Sequence, residues 1–423
     1  MHKQKLIAVI LFSVLNIAQG QYFKQNGGLR FDFNLCGDKD TTIITINKII
    51  QEPFNSRSTG QFIDTFDYGT FRIDVADSST GQLLYSQGFG TLFDEWQTTA
   101  EAQTIDRCFI HCCKIPEPVH PAKITIRQRG KTQQYKIVFH DFFNPATAHL
   151  SKPIPLPFEP VPVWYSGDPN IKLDFVLLAE GYKKNEMKKF RKDIKGLTID
   201  LLSRPPFNHH REHINIWYVS SISEESGTDE PAKNKWRNTI MDTRFSTFNT
   251  ERYLMTDRYD KVCDLAALAP YDQIVIVVNT SEYGGGAIYN FYSTVNSRNR
   301  SSGHVLVHET GHCLGGLGDE YYTSEVPYLN PYDTLCEPWE PNLTTLVDFG
   351  RKWKSMVNDS TPIPTPLNQQ YIEQTGAFEG GGYMAKGMFR SAPLCIMFSN
   401  AATTFCPVCH SVLKKKILFY TKK

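Results

Sequence analysis

From residue 68 to residue 139, apolar and polar positions largely alternate in four short runs: Tyr68-Gly-Thr-Phe-Arg-Ile-Asp-Val75, Gly81-Gln-Leu-Leu-Tyr85, Ala122-Lys-Ile-Thr-Ile-Arg127 and Gln134-Tyr-Lys-Ile-Val-Phe139. A period of two buries one face of a strand and wets the other, and the turn-forming stretches Ser78-Ser-Thr-Gly81 and Arg129-Gly130 separate the runs. The pattern predicts an antiparallel β-sandwich over residues 21–150. A Pro-rich passage follows, read as an extended, semi-rigid linker over 151–164. The period then changes. Ile171-Lys-Leu-Asp-Phe-Val-Leu-Leu178, a helical stretch from about Asn185 to Leu202, Ile214-Asn-Ile-Trp-Tyr-Val-Ser220 and Asp272-Gln-Ile-Val-Ile-Val-Val278 read as strand, helix, strand and central strand. That succession predicts an α/β domain over 165–423, so the expected fold class is α+β multidomain.

The chemistry-bearing stretch is His308-Glu-Thr-Gly-His312-Cys-Leu-Gly-Gly-Leu-Gly318-Asp319-Glu320-Tyr321. Residues four apart on a helix stand one turn above one another, so His308 and His312 can aim two imidazoles at one metal ion with Glu309 beside them. Apolar Val305, Leu306 and Val307 would seat that helix on a core, with Ser301 or Ser302 as N-cap. Glycine costs roughly 1 kcal/mol relative to alanine inside a helix, so the helix should break near Gly315-Gly316. A chain turning back there can supply a third ligand, as metzincin-type zinc peptidases do six positions after the second histidine. Here that position is Gly318, which has no side chain. The expected third ligand is therefore Asp319, with Glu320 as competitor and a carboxylate holding a histidine tautomer as the other role for Asp319.

At the N-terminus, Lys3, Lys5, the apolar block Leu6 to Leu15 and Ala18-Gln-Gly20 read as a signal peptide over residues 1–20. The mature chain is then expected to start near Gln21, outside the cytoplasm and without a lipid anchor, and no other stretch has the length of a transmembrane segment. The net charge of +1 and the lack of a basic stripe argue against nucleic acid as a partner. Ten cysteines in an exported chain suggest disulfides, with Cys36 and Cys108 as possible partners. His111, His120, His140 and His149 are scattered. Asp94 and Glu95 within Phe93-Asp-Glu-Trp96 are discounted as a carboxylate pair, because neighbours on a strand point to opposite faces. Tyr283-Gly-Gly-Gly-Ala-Ile-Tyr289 is either a plain loop or an edge on which an extended peptide could pair. Cys406-Pro-Val-Cys409-His410 is read as disulfide-forming, with Cys395 or Cys336 involved, in preference to half of a structural zinc site.

Taken together, His308-Glu-x-x-His312, Gly316-Leu-x-Asp-Glu-Tyr321, the upstream Tyr283-Gly-Gly, Arg390, Cys395-x-Met397 and Cys406-x-x-Cys409 resemble the immunoglobulin A peptidase family of bacterial zinc metallopeptidases. The likeness runs over most of 165–423, and the first unit is similar to that family's β-rich N-terminal domain in gut Bacteroides-type bacteria. The resemblance implies a metzincin-like zinc endopeptidase with His308 and His312 as ligands, Glu309 as base and Met397 in a supporting turn. It also implies a Gram-negative source, with a periplasmic, surface or secreted location. It does not imply that immunoglobulin A is the substrate.

The chemistry expected is peptide-bond hydrolysis of a protein or peptide substrate by one zinc ion, Zn2+, with Glu309 as general base. Loss of an oxyanion donor costs roughly 3 kcal/mol in enzymes of this kind, and Tyr383 is the expected donor with Tyr321 as alternative. Two other classes remain open. One is a surface binding protein carrying an inactive peptidase unit. The other is a zinc amidase or carboxypeptidase acting on cell-wall peptides, for which Arg390 would hold a terminal carboxylate.

Overall fold

A computed structural model describes residues 22–54, 61–323, 326–329 and 331–421. The expected signal peptide, residues 1–20, lies outside the described residues. The first part of the chain forms strands β1 (Phe23–Gly37), β2 (Ile43–Glu52), β3 (Phe71–Asp77) and β4 (Leu83–Phe89), then a short helix α1 (Leu92–Gln97). Strands β5 (Arg107–Pro118), β6 (Ala122–Arg129) and β7 (Tyr135–Phe143) follow. They make two antiparallel sheets, ordered β2-β1-β5 and β4-β3-β6-β7. The alternating runs recognised in the sequence are the second of these sheets. The first was missed although Leu29-Arg-Phe-Asp-Phe-Asn-Leu35 in β1 alternates as strictly; what the alternation hides is that Arg30 and Asp32, on its polar side, are buried as well.

Those buried charges are paired. Arg30 lies 2.7 Å from Asp32 and 3.0 Å from Glu52, and it also pairs with Asp264. Burying a guanidinium is tolerable only with such partners. Asp264 lies in a helix of the second half of the chain, so this cluster ties the first sheet to that half. Cys36 and Cys108 form a disulfide, as the sequence suggested.

The second half contributes an edge strand β8 (Pro160–Trp164), β9 (Leu173–Glu180), helix α2 (Met187–Ser203), β10 (Ile214–Val219), helix α3 (Tyr259–Ala266) and β11 (Gln273–Val278). Next come β12 (Gly285–Ala287), β13 (Ser293–Asn296) and helix α4 (Ser302–Gly315). The last elements are β14 (Leu343–Thr344), β15 (Phe378–Gly381), β16 (Met384–Arg390) and helix α5 (Pro407–Thr421). The main sheet has the order β12-β13-β11-β9-β10-β8, parallel from β10 to β13 and antiparallel at both edges. The fully buried β9 and β11 occupy its centre, as their unbroken apolar runs require. The passage expected as a linker over 151–164 is in part an edge strand: Pro160 to Trp164 pair with β10. An edge is where proline's missing N–H is harmless.

One face of this sheet packs on helices α2 and α4, the other on helix α3 and the N-terminal sheets. Phe109, Cys112 and Ile124 from the first half share a core with Val176, Ile276 and Phe291 from the second. Of the cysteines expected in a disulfide, Cys336, Cys395, Cys406 and Cys409 are all free thiols. No helix among the described residues is long and apolar enough to cross a membrane.

Candidate active site

Helix α4 carries His308 and His312 on one face, and it ends at Gly316, whose φ of +62° is the left-handed cap that glycine adopts without strain. The chain turns back at once: the Leu317 amide donates to the Gly311 carbonyl at 3.1 Å. Asn342 holds the return by accepting from the Gly318 amide and donating to the Gly318 carbonyl, each at 2.8 Å. A side chain at Gly318 would press into Leu343, with a Cβ only 2.6 Å from Cδ1. Glycine at position 318 is therefore a packing requirement, and the first side chain the return presents to the histidines is Asp319.

Asp319 Oδ1 lies 3.1 Å from His308 Nε2 and 3.3 Å from His312 Nε2, and the two Nε2 atoms are 3.1 Å apart. Ligand atoms at ~2.0–2.1 Å around a tetrahedral ion are about 3.3 to 3.4 Å from one another, so the triangle fits a zinc-sized cation. The outer nitrogens of both rings are engaged: His308 Nδ1 with the Ile396 carbonyl at 3.0 Å and His312 Nδ1 with the Leu317 carbonyl at 2.6 Å. A carbonyl only accepts, so each Nδ1 carries a proton and each Nε2 faces Asp319, able to give its lone pair to a metal ion once it sheds its own proton. Oδ1 is buried, with the two imidazole Nε2 atoms as its ion-pair partners. Three lone pairs meeting in this way need a cation between them.

Electrostatics agree. Burial opposes charge on His312, yet the Asp319 carboxylate outweighs it and lifts the imidazole pKa to about 9. Against its own burial, Asp319 is held well below the usual carboxylate range by His312 and His308. In the metal-free protein a proton takes the place of the metal.

Glu309 faces the same cleft, nine-tenths buried, and burial raises its pKa while the two histidines pull the other way. The run Gly284 to Gly286 explains itself beside it. A Cβ on Gly285 would stand 2.7 Å from Val305 and 3.2 Å from Glu309 Oε1, and one on Gly284 only 2.5 Å from the Arg252 carbonyl. These glycines let the β12 edge lie against helix α4 and the 252–254 segment. That segment already uses the outer edge of Gly285: the Gly285 amide donates to the Arg252 carbonyl and the Leu254 amide to the Gly285 carbonyl.

Asp319 is held from its other side. Tyr321 donates to Oδ2 at 2.7 Å, and Tyr383 donates to the same oxygen. Gly382 and Tyr383, with φ of +57° and +64°, are the two tip residues of the β15–β16 hairpin. A non-glycine residue in that region is strained, and here the strain accompanies a contact in the site. Tyr383, expected as the oxyanion donor, has its single hydroxyl proton committed to Asp319. As placed it holds the Asp319 carboxylate.

Met397 lies in a turn beneath the helix, with its sulfur against Gly311, where a Cβ would come within 2.7 Å. The preceding Ile396 carbonyl is the acceptor for His308. Arg390 is not at the cleft. It is buried, donates to the Glu379 and Gly380 carbonyls and lies over Phe398. A substrate's terminal carboxylate would have to reach it through the packed hairpin.

The cleft is about 1490 Å³ in volume, and the N-terminal half supplies one of its walls. Asp94 and Glu95, which sequence reasoning discounted, line that wall. Their segment is a helix capped by Thr91 rather than a strand, so neighbouring side chains are about 100° apart and both reach the cleft. Thr91 as N-cap three residues before Asp94 was the signal that could have revealed it. Burial lifts Asp94 to about 7 and Glu95 to about 8, although Tyr253 donates to Glu95 at 2.5 Å. Arg252 was also missed. It borders the cleft and donates to the Tyr321 hydroxyl at 3.2 Å.

A histidine-carboxylate set at the floor of a cleft, with a carboxylate base beside it, is a site built for a hydrolytic metal. The chain belongs to the IgA Peptidase M64 family, whose sequence pattern matches residues 161–374 and 367–417. The companion Peptidase M64 N-terminus pattern matches residues 20–140. By family the protein is thus a metallopeptidase with a protein substrate. No curated protein matches the chain at a significant level.

Proposed function

We propose that this protein is an exported, metzincin-like zinc endopeptidase that cleaves extended segments of protein substrates in the cleft between its two halves. The observation that carries the reading is the convergence of His308 Nε2, His312 Nε2 and Asp319 Oδ1 to within 3.3 Å of one another, with Glu309 beside them. Zinc held by these three residues would lower the pKa of a water toward ~7 and polarise the scissile carbonyl. Glu309 takes the proton from the attacking water and returns it to the leaving amine. Its raised pKa suits both halves of that task, since a stronger base is also a better-matched acid on the way back.

Tyr321 and Tyr383 keep Asp319 turned toward the histidines and act as positioning residues. Met397 belongs to the turn that presents the Ile396 carbonyl to His308. Export rests on the pattern of residues 1–20 and agrees with the Cys36–Cys108 disulfide. The carboxypeptidase alternative loses Arg390, which is buried away from the cleft; Arg252 does border it, and the position of the cuts separates the two readings. An inactive binding protein would have no need of the complete set that lines the cleft.

The test is cleavage of an unfolded protein mixture by the zinc-loaded enzyme and by Glu309→Gln, with zinc content measured on both. Internal cuts made by the wild type and missing from a zinc-loaded variant support the reading. Cuts confined to chain ends, or undiminished cleavage by the variant, overturn it.

A further inference from the structure

Beneath the cleft lies a second convergence of ligand-type side chains that peptide hydrolysis does not use. Glu320, Cys395, Cys406 and Cys409 offer one carboxylate oxygen and three sulfurs, all within 4.8 Å of one another. Cys409 Sγ is 3.2 Å from Glu320 Oε1, and Cys406 Sγ is 4.0 Å from it. All four residues are buried, at 4% exposure or less. We propose that these four residues form a second, structural zinc site, closed to water and separate from the cleft.

Four observations argue for a metal there. The donor set is chemically right: three thiolates and a carboxylate complete a tetrahedral zinc with no position left for water, the mark of a structural site. Sulfur and oxygen together also disfavour magnesium or calcium, which take oxygen ligands alone. Of the Glu320 oxygens, Oε1 faces the sulfurs and also accepts from Asn342 at 3.0 Å, while Oε2 is buried without a hydrogen-bond partner, which is costly for a carboxylate unless a cation answers it. The sulfurs are already furnished with donors. The Cys406 amide donates to Cys395 Sγ at 3.2 Å, the Cys409 amide to Cys406 Sγ at 3.4 Å, and Ser391 Oγ lies 3.1 Å from Cys406 Sγ. Bonds of this kind orient and stabilise bound thiolates.

The local sequence fits as well. Cys406-Pro-Val-Cys409 has the two-residue spacing of a zinc half-site and opens helix α5, whose N-terminal dipole favours the thiolate form. Arg390, packed close by, acts electrostatically on Glu320 and offsets part of the negative charge of the ligand set. A disulfide explains less. It would join two of three thiols, strand the third, and leave Glu320 Oε2 without a partner. All three are free.

The site would clamp two segments that build the cleft, the Asp319-Glu320 return and the Cys395–Phe398 turn that presents the Ile396 carbonyl, to the start of helix α5. It does not depend on the proposed catalysis, and its test separates the two. The full chain, purified without reductant in zinc-replete buffer and then dialysed, should carry about two zinc per chain. The His308→Ala/His312→Ala double variant should keep about one. Its cobalt-loaded form should show the intense near-ultraviolet sulfur-to-cobalt charge-transfer band, and in the zinc form Cys395, Cys406 and Cys409 should resist alkylation until a strong chelator is added. Cys409→Ser in that background should lose the remaining metal and the band. A double variant without zinc, or a disulfide among these three residues found by mass spectrometry of the unreduced protein, overturns the site whatever the peptidase activity proves to be.

Discussion

Two neighbouring residues, Asp319 and Glu320, face two different clusters of ligand-type side chains. In an extended segment successive side chains point to opposite sides. Asp319 therefore joins His308 and His312 on the cleft side, while Glu320 turns into the protein toward Cys395, Cys406 and Cys409. The two centres differ in kind. At the cleft, three nitrogen and oxygen donors leave room for water and substrate, and a base stands ready. In the interior, four donors close on one another with no solvent near. Open coordination suits catalysis and closed coordination suits stapling. One short return of chain thus couples the geometry of the reaction to the integrity of the fold beneath it.

The comparison breaks most visibly at Glu309. Removing its basicity with Glu309→Gln should lower kcat/KM on a peptide substrate by about 1,000-fold, within the range set by general-base catalysis, without changing zinc content at either centre. A fall of less than tenfold would take the base away from Glu309. Next in size is the contrast between the paired carboxylates. Asp319→Asn should weaken zinc binding at the cleft by more than the ~10–100-fold that an outer partner costs, and leave the sulfur-to-cobalt band intact. Loss of both together would show that the two centres are not separable.

Tyr383→Phe should be milder, about tenfold in zinc affinity at the cleft, because Tyr321 still holds Oδ2. If Tyr383 were instead the oxyanion donor, kcat would fall by about 100-fold or more with zinc affinity unchanged, so the two measurements decide its role.

The smallest effect is protonic. The His312 pKa is raised from 6.5 to about 9 in the metal-free protein, so at pH 7.5 the ring is charged and zinc must displace its proton. Calorimetry in buffers of different ionisation enthalpy should report release of close to one proton at pH 7.5, fading as pH rises past about 9. Activity should show an acid limb above the ordinary glutamate value of 4.5, since Glu309 must be unprotonated to act and burial raises its pKa.

Much of this was legible beforehand, and the reason differs from residue to residue. His308, Glu309 and His312 lie on one helix, where spacing alone sets relative position, and the glycine that ends the helix is equally local. The four alternating runs of the second N-terminal sheet were readable because one face is apolar. In the first sheet Leu29 to Leu35 alternates just as clearly, but that its polar side would also be buried was not readable, since Arg30, Asp32 and Glu52 satisfy one another only after folding. Asp94 and Glu95 were dismissed on the assumption of a strand. Six residues of helix capped by Thr91 reversed the geometry and brought both to the cleft.

What the sequence by itself determined about this protein is therefore short-range: a helix with two imidazoles one turn apart, its glycine stop, and central strands apolar on both faces. Each follows from covalent geometry and from burial periods of two or 3.6 residues. Only the tertiary structure decided that Asp319 rather than Glu320 meets the histidines, that Tyr383 spends its proton on that carboxylate, and that three cysteines gather around Glu320 instead of pairing. Those outcomes depend on where segments distant in sequence pack. Directions in space between such segments are set by the shared core, which no local pattern encodes.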